Sequence, residues 1–102
     1  MYKLIGILKR PEGMSVEAFH QWWLQEHATF VKRFAGLKKY AINLSTTGDQ
    51  RYDGVAEVWF ETKQDLEKVF STPEGQAARQ SATSHSGELT ILFTEEHVIV
   101  KG

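Results

Sequence analysis

The chain has no cysteine. Disulfides, thiol nucleophiles, iron–sulfur clusters and zinc–thiolate sites therefore lie outside its chemistry. Neither sign of charge is in excess. Twelve Lys and Arg stand against 13 Asp and Glu, for a net charge of -1 and a pI near 6.4. Nothing in that balance attracts a polyanion, so nucleic acid is not an expected partner. No apolar run approaches the ~20 residues of a membrane span. The opening MYKLIGILKRPEG has too short an apolar stretch, and no small-residue cleavage site, to read as a signal peptide. The expected location is the cytoplasm. Metal-binding and phosphate-binding patterns are missing as well. There is no HxH or HExxH, STPEG has one glycine and no lysine, and no GxSxG elbow supports a Ser–His–Asp triad. No metal and no cofactor is expected.

What is present is an ordinary globular balance, 41% hydrophobic and 25% charged. At 102 residues the chain suits one domain over 1–102, burying only ~60–65% of the surface its unfolded form exposes. A partner subunit would extend so modest a core.

YKLIGILKR (2–10), ended by Pro11 and Gly13, reads as a strand. Ser15 is placed to cap a helix running from about Val16 to Phe34, with Glu17 in its first turn and Gly36 as the left-handed stop. LKKYAINLS (37–45) and YDGVAEVWF (52–60) alternate as strands do. In the second, Gly54, Ala56, Val58 and Phe60 share one face, and Asp53, Val55, Glu57 and Trp59 the other. Thr62 and Asp65 resemble a capping box for a helix over 63–70. Pro73 suits the first turn of a second segment reaching about Ala82. The stretch ELTILFTEEHVIVKG supplies one last strand, or two pieces of one.

The order β-α-β-β-α-β fits an α+β fold of the ferredoxin-like kind, an antiparallel sheet with helices on one face. Apolar side chains fall on both sheet faces: Tyr2, Leu4 and Leu8 on one parity, Ile5 and Ile7 on the other, with Val55 and Trp59. A large exposed apolar face marks an interface, so a homodimer packed through the sheet faces is expected.

The segment FHQWWLQEHATF carries the chemical question. On a wheel of 3.6 residues per turn, Val16, His20, Trp23, His27, Phe30 and Phe34 form a stripe flanked by Phe19 and Val31, with Trp22 well round the side. His27 thus stands where a leucine is expected. A lone His on an apolar face is more often a hydrogen-bonded core residue, and that reading is preferred for His20 at the helix start. For His27 the alternatives are closer. Its ring needs a partner from the sheet or a ligand, because an unpaired buried polar group costs ~1–3 kcal/mol. Tyr40 and Glu57 are the available partners, and a buried His with such a neighbour serves as a general acid or base. Glu57 fits equally well as a salt bridge to Lys3, Lys38 or Arg51. Tyr40 fits core packing with a tethered hydroxyl. Phe19, Trp23, Phe30 and Trp59 could line a hydrophobic ligand cavity, or serve as the large aromatics of a small core. His85, in the presumed loop SATSHSGE, could guard the cavity mouth. Asp53 reads as a turn residue and His97 as a solvated one. His20 and His27, seven residues and roughly 10 Å apart along a helix, are too distant to share a metal ion.

These motifs together resemble the EthD family of the dimeric α+β barrel superfamily: ILKRPEGMS at the first strand, then Phe19, Trp22, Trp23, Glu26, His27 and Ala28, then GLKKY with Tyr40, YDGVAEVWF, STPEGQAA and EEHVIV. The chain departs at Thr29 and Phe30, where Pro and Leu or a similar pair is usual, and at Ala35, where Pro is common. The resemblance implies a ferredoxin-like subunit paired sheet to sheet, a pocket between sheet and helices, and His27 as the functional residue. The family takes its name from ether degradation, where such a protein accompanies an oxidative system. Similar proteins isomerise methyl-substituted muconolactones, and wider relatives cyclise polyketides, oxidise anthrones without a cofactor or degrade haem.

Three functions follow as expectations. The first is a cofactor-independent enzyme acting on a small hydrophobic carbonyl compound, with His27 as acid or base and Tyr40 and Glu57 orienting it. The second is a non-catalytic accessory or ligand-binding protein of an oxidative degradation pathway. The third is haem binding through His27.

Overall fold

The computed structural model describes residues 1–102. Four strands form one antiparallel sheet: β1 (Tyr2–Lys9), β2 (Leu37–Leu44), β3 (Gly54–Phe60) and β4 (Glu88–Glu95), in the spatial order β2-β3-β1-β4. β1 and β3 are the central pair, in register from Tyr2 opposite Phe60 to Leu8 opposite Gly54. Their alternation sorts the side chains. Leu4, Gly6, Leu8, Gly54, Ala56, Val58 and Phe60 are buried under the helices, while Lys3, Ile5, Ile7, Val55, Glu57 and Trp59 are half-buried on the open face. The result is flat, 38 × 35 × 19 Å, because all helices cover the same side.

Ser15 caps the first helical run by accepting from the Ala18 N–H at 3.1 Å. That run is not uniform. α1 (Val16–Gln21) passes into a π-helical turn over Trp22–His27 and then into α2 (Ala28–Val31). The Ala28 N–H donates to the Trp23 carbonyl, five residues back. Each such bond admits an extra residue to the turn, so spacings of five align. Trp22 with His27, and Trp23 with Ala28, therefore share the buried side. The uniform 3.6 wheel misplaced Trp22, which is buried, and Val16 and Phe30, which are only half-buried. The helical run ends at Val31, three residues short of the expected Phe34, with Lys32 as its cap. Gly36 has the left-handed φ of 77°, but it serves the turn that leads into β2 and not the helix end.

Thr62 caps α3 (Lys63–Lys68) through the Asp65 N–H, and a short 3-10 turn, Val69–Ser71, follows. α4 (Pro73–His85) begins at Pro73 as expected but runs three residues past Ala82. His85 is thus the last residue of a helix and not part of a loop. α4 turns Gly75, Ala78, Ser81 and Ala82 inward, small residues that let it lie close to its neighbours. Two apolar clusters result. One is built on Leu4, Phe34, Val58 and Phe60, the other on Leu8, Phe19, Trp22 and Trp23. Burying each large side chain in them contributes about 1.5–3 kcal/mol.

The C-terminal segment forms one strand only. After Glu95 the chain crosses to the open face, where the Glu96 carboxylate accepts from Lys3 Nζ and from Trp59 Nε1, each at 3.0 Å. Val98, Ile99 and Val100 beyond it are exposed.

Candidate functional site

Between the sheet and the helices lies a cavity of about 50 Å³. Leu4, Gly6, Leu8, Ala56 and Val58 form its floor. Trp23, His27 and Val31 of the first helical run, and Ala78 and Ala82 of α4, form its roof. The absence of a side chain at Gly6 and the single methyl groups of Ala56, Ala78 and Ala82 leave the space open. Thirteen of the 16 lining residues are hydrophobic, and none is acidic. The polar groups at the cavity are therefore few: His27, Tyr40, Trp23 Nε1 and the exposed Arg79.

His27 is the buried ionisable group of the set, 7% exposed. The π turn and α4 position it together. Its Nδ1 lies 3.1 Å from Ser81 Oγ, and its ring stands 5.0 Å from Trp22. Burial, with a smaller contribution from the charge of His85, pushes its pKa down from the usual 6.5 to about 4. At neutral pH the imidazole is uncharged. Burial alone raises the Tyr40 phenol well above its usual range, so it also stays neutral. The Tyr40 hydroxyl and Trp23 Nε1 are sealed from solvent without a hydrogen-bond partner. Buried polar groups are nearly always paired, so two unpaired donors on residues of one cavity are unusual.

His27, Tyr40 and Trp23 are thus brought to one cavity, but the Tyr40 hydroxyl is neither tethered nor the hydrogen-bond partner of His27, a place Ser81 takes. The other candidates do not line the cavity. Glu57 is on the opposite sheet face, accepting from Lys3 Nζ at 2.9 Å and from Asn43 Nδ2 at 2.9 Å. The hydrogen bond from Lys3 holds its carboxyl below the usual range. The ion-pair reading of Glu57 is the one realised, and it does not touch His27. Trp59 shares that open face, flanked by Lys3 and Lys39 ammonium groups at 4.8 and 4.6 Å from its ring. The parity of β3 decides both, since Ala56 and Val58 occupy the cavity side. Phe19 is fully buried behind the cavity wall, packed on Trp22 and Trp23. Phe30 packs beside the Leu4–Phe60 cluster. His85 does not line the cavity. It stacks on Trp22 at 5.0 Å, and its Nδ1 donates to the Ser81 carbonyl. His20 is half-buried near the helix start, and its Nε2 has no partner within the chain. Asp53 is a buried anchor that accepts from the Arg10 backbone N–H at 2.7 Å and from its guanidinium. His97 contacts the Glu95 carboxylate and is exposed, as expected.

Sequence reasoning missed Ser81. Its signal was a hydroxyl within the buried row Ala78, Ser81, Ala82 of α4, a polar residue out of place in the same sense as His27. A porphyrin does not fit this site. A cavity of about 50 Å³ does not hold one.

Comparison with known proteins places this geometry in a family. A family model described as the EthD domain matches residues 11–83. An uncharacterised 11.0 kDa protein from the thcB–thcC intergenic region of Rhodococcus erythropolis is 28% identical over 104 residues, covering 98% of this chain and 99% of that one. The crystal structure of an ethyl tert-butyl ether degradation (EthD) family protein from Bacillus halodurans has a TM-score of 0.82 at 26% identity, covering 95% of this chain and 99% of that chain. A dimeric protein of unknown function and ferredoxin-like fold from Bacteroides fragilis has a TM-score of 0.66 at 16% identity, with 93% and 95% covered. The fold, the chain-length match to an EthD structure and the family model agree: this protein belongs to the EthD family.

Proposed function

We propose that the protein takes the carbonyl end of a small, largely apolar compound into the cavity beneath the π turn, and that His27 exchanges a proton with it without a cofactor. The observation that carries this reading is His27 itself. It is a neutral, buried imidazole fixed through Nδ1 by Ser81, in an apolar cavity where no carboxylate competes for its other nitrogen. With its pKa held well below 7, the ring is a weak base, and the role open to it is that of an N–H donor. It gives that proton to the carbonyl oxygen as the enol forms, water at the cavity mouth taking the α-hydrogen, and regains it as the carbonyl re-forms. Tyr40 supplies a second neutral donor beside it. Lactone isomerisation, cyclisation and oxidative catabolism of carbonyl compounds all include such a step. The cavity is small, so larger substrates extend past Arg79 into solvent.

The test is exchange of α-hydrogens for deuterium. Small cyclic ketones such as cyclopentanone are incubated with protein in D2O and followed by proton NMR. Exchange above the buffer rate that is lost in His27→Ala supports the reading. Equal exchange by wild type and His27→Ala sinks it.

A second reading, ligand binding without turnover, draws on the two unpaired donors at Tyr40 and Trp23, which a ligand oxygen would satisfy. Saturable ketone binding with no exchange would favour it. In either case we propose a homodimer joined through the open sheet faces. Ile5, Ile7 and Val55 line that face, and a solved relative of the same fold is described as dimeric.

A further inference from the structure

We infer that Ser81 is a positioning residue that fixes the proton of neutral His27 on Nε2, so the site presents an N–H donor and selects ligands by an oxygen that accepts and carries no hydrogen. This deepens the proposed reading of the cavity and rests on it.

The argument is one of hydroxyl protons. Ser81 is 9% exposed, and its Oγ has one hydrogen-bond partner, His27 Nδ1 at 3.1 Å. Other helical hydroxyls in the chain behave differently. Ser71 donates to the Lys68 carbonyl, Thr72 to Val69, Ser84 to Ser81 and Ser86 to Ala82. This back-bonding to a carbonyl three or four residues earlier is the usual resource of a helical Ser. Ser81 does not use it, because its side chain turns toward His27 instead. A hydroxyl has one proton and two lone pairs. If Nδ1 carried the ring proton, Oγ would accept it, and the hydroxyl's own proton would be buried without an acceptor. With Nδ1 bare, Oγ–H donates to it, and the proton left over is Nε2–H. Each tautomer leaves one donor over, but His27 lines the cavity and Ser81 does not. A leftover Oγ–H is shut against the helix, the costly arrangement, whereas a leftover Nε2–H faces a space where a ligand oxygen can accept it, so the second tautomer dominates.

The consequence reaches the ligand. With Nδ1 occupied, Nε2–H is the ring group left over, and nothing else in the chain accepts from it. Trp23 Nε1 is likewise a donor only, and the Tyr40 phenol has an unplaced proton. The cavity supplies donors and no carboxylate. A ketone, lactone or quinone oxygen complements that set. An ammonium or amide N–H in the same position would meet protons.

The test is long-range nitrogen–proton NMR of the imidazole rings in the intact 15N-labelled protein at pH 7, with His27→Gln used to assign the signals. The expected result is one protonated nitrogen at Nε2 and an unprotonated Nδ1 displaced upfield by the Ser81 hydrogen bond. In Ser81→Ala the Nδ1 resonance should move downfield toward that of an unbonded ring nitrogen, and Ser81→Thr should restore it. Cyclopentanone should shift Nε2, and methylenecyclopentane, the same shape without oxygen, should not. A protonated Nδ1 in wild type, an Nδ1 signal indifferent to Ser81→Ala, or equal shifts from both probes would overturn the inference. The deuteration assay reads a separate quantity. A protein with all the nitrogen signatures and no α-exchange keeps the inference and loses the catalytic reading. Exchange that depends on His27 beside a protonated Nδ1 does the reverse.

Discussion

Acidification should remove a definite part of the protein's stability through His27. In the unfolded chain its imidazole titrates near 6.5, and in the folded chain near 4, because burial disfavours the charged ring. Between those values the unfolded state binds a proton that the folded state refuses. The stabilisation is present above pH 6.5, declines as the pH falls, and is fully lost below about 4. At 1.36 kcal/mol per pKa unit, the whole window is worth about 3 kcal/mol, of which about 2 kcal/mol is gone by pH 5. That is a large share of the 5–15 kcal/mol that typically holds a domain together. The assay is urea unfolding at fixed protein concentration from pH 7.5 to 4.5, on wild type and on His27→Gln, which cannot titrate. Subtracting the two curves removes the carboxylates, which respond at lower pH. The wild-type advantage should shrink steadily with acid. Parallel curves through that window, or a wild type that gains on acidification, would refute the claim that His27 is buried and neutral.

Other perturbations test neighbouring parts of the structure. Gly54→Ala places a Cβ 2.3 Å from the Asn43 carbonyl oxygen and 2.8 Å from the Trp23 ring. It should destabilise by about 1–3 kcal/mol and disturb the cavity wall, read by urea unfolding and tryptophan emission. Tyr40→Phe removes a buried hydroxyl without a partner, so the ligand-free protein should hold or gain up to about 1 kcal/mol in thermal unfolding while ketone binding weakens. Asp53→Asn weakens the charge-assisted bonds to Arg10 and should cost about 1.5–3 kcal/mol in the same assay. Ile5→Asp puts a charge in the middle of the open face. Light scattering should show a monomer of unchanged circular dichroism, and a persistent dimer would place the interface elsewhere.

Period and punctuation were legible along the chain. Strand alternation in 52–60 assigned the two faces of β3 correctly, Ser15 and Thr62 capped where expected, and Gly36 adopts a positive φ, although in the turn before β2 and not at the helix end. These are local matters, set by sterics and by hydrogen bonds three or four residues in reach. The out-of-place polarity of His27 was legible too, because an ionisable ring in an apolar stripe conflicts with its surroundings at the level of sequence.

Which groups meet His27 was a tertiary decision. Glu57 was a plausible partner by type, yet one step of strand parity put it across the sheet with Lys3. The π turn moved Trp22 inward by adding a residue per turn, a change no fixed helical period anticipates. Ser81, 54 residues away in sequence, reached Nδ1 only because the small row Gly75, Ala78 and Ala82 lets α4 pack closely. The sequence alone determined that one histidine would sit in an apolar row within an α+β fold. Packing between distant elements decided that its neighbour is a hydroxyl and not a carboxylate, and with it the charge the ring carries at neutral pH.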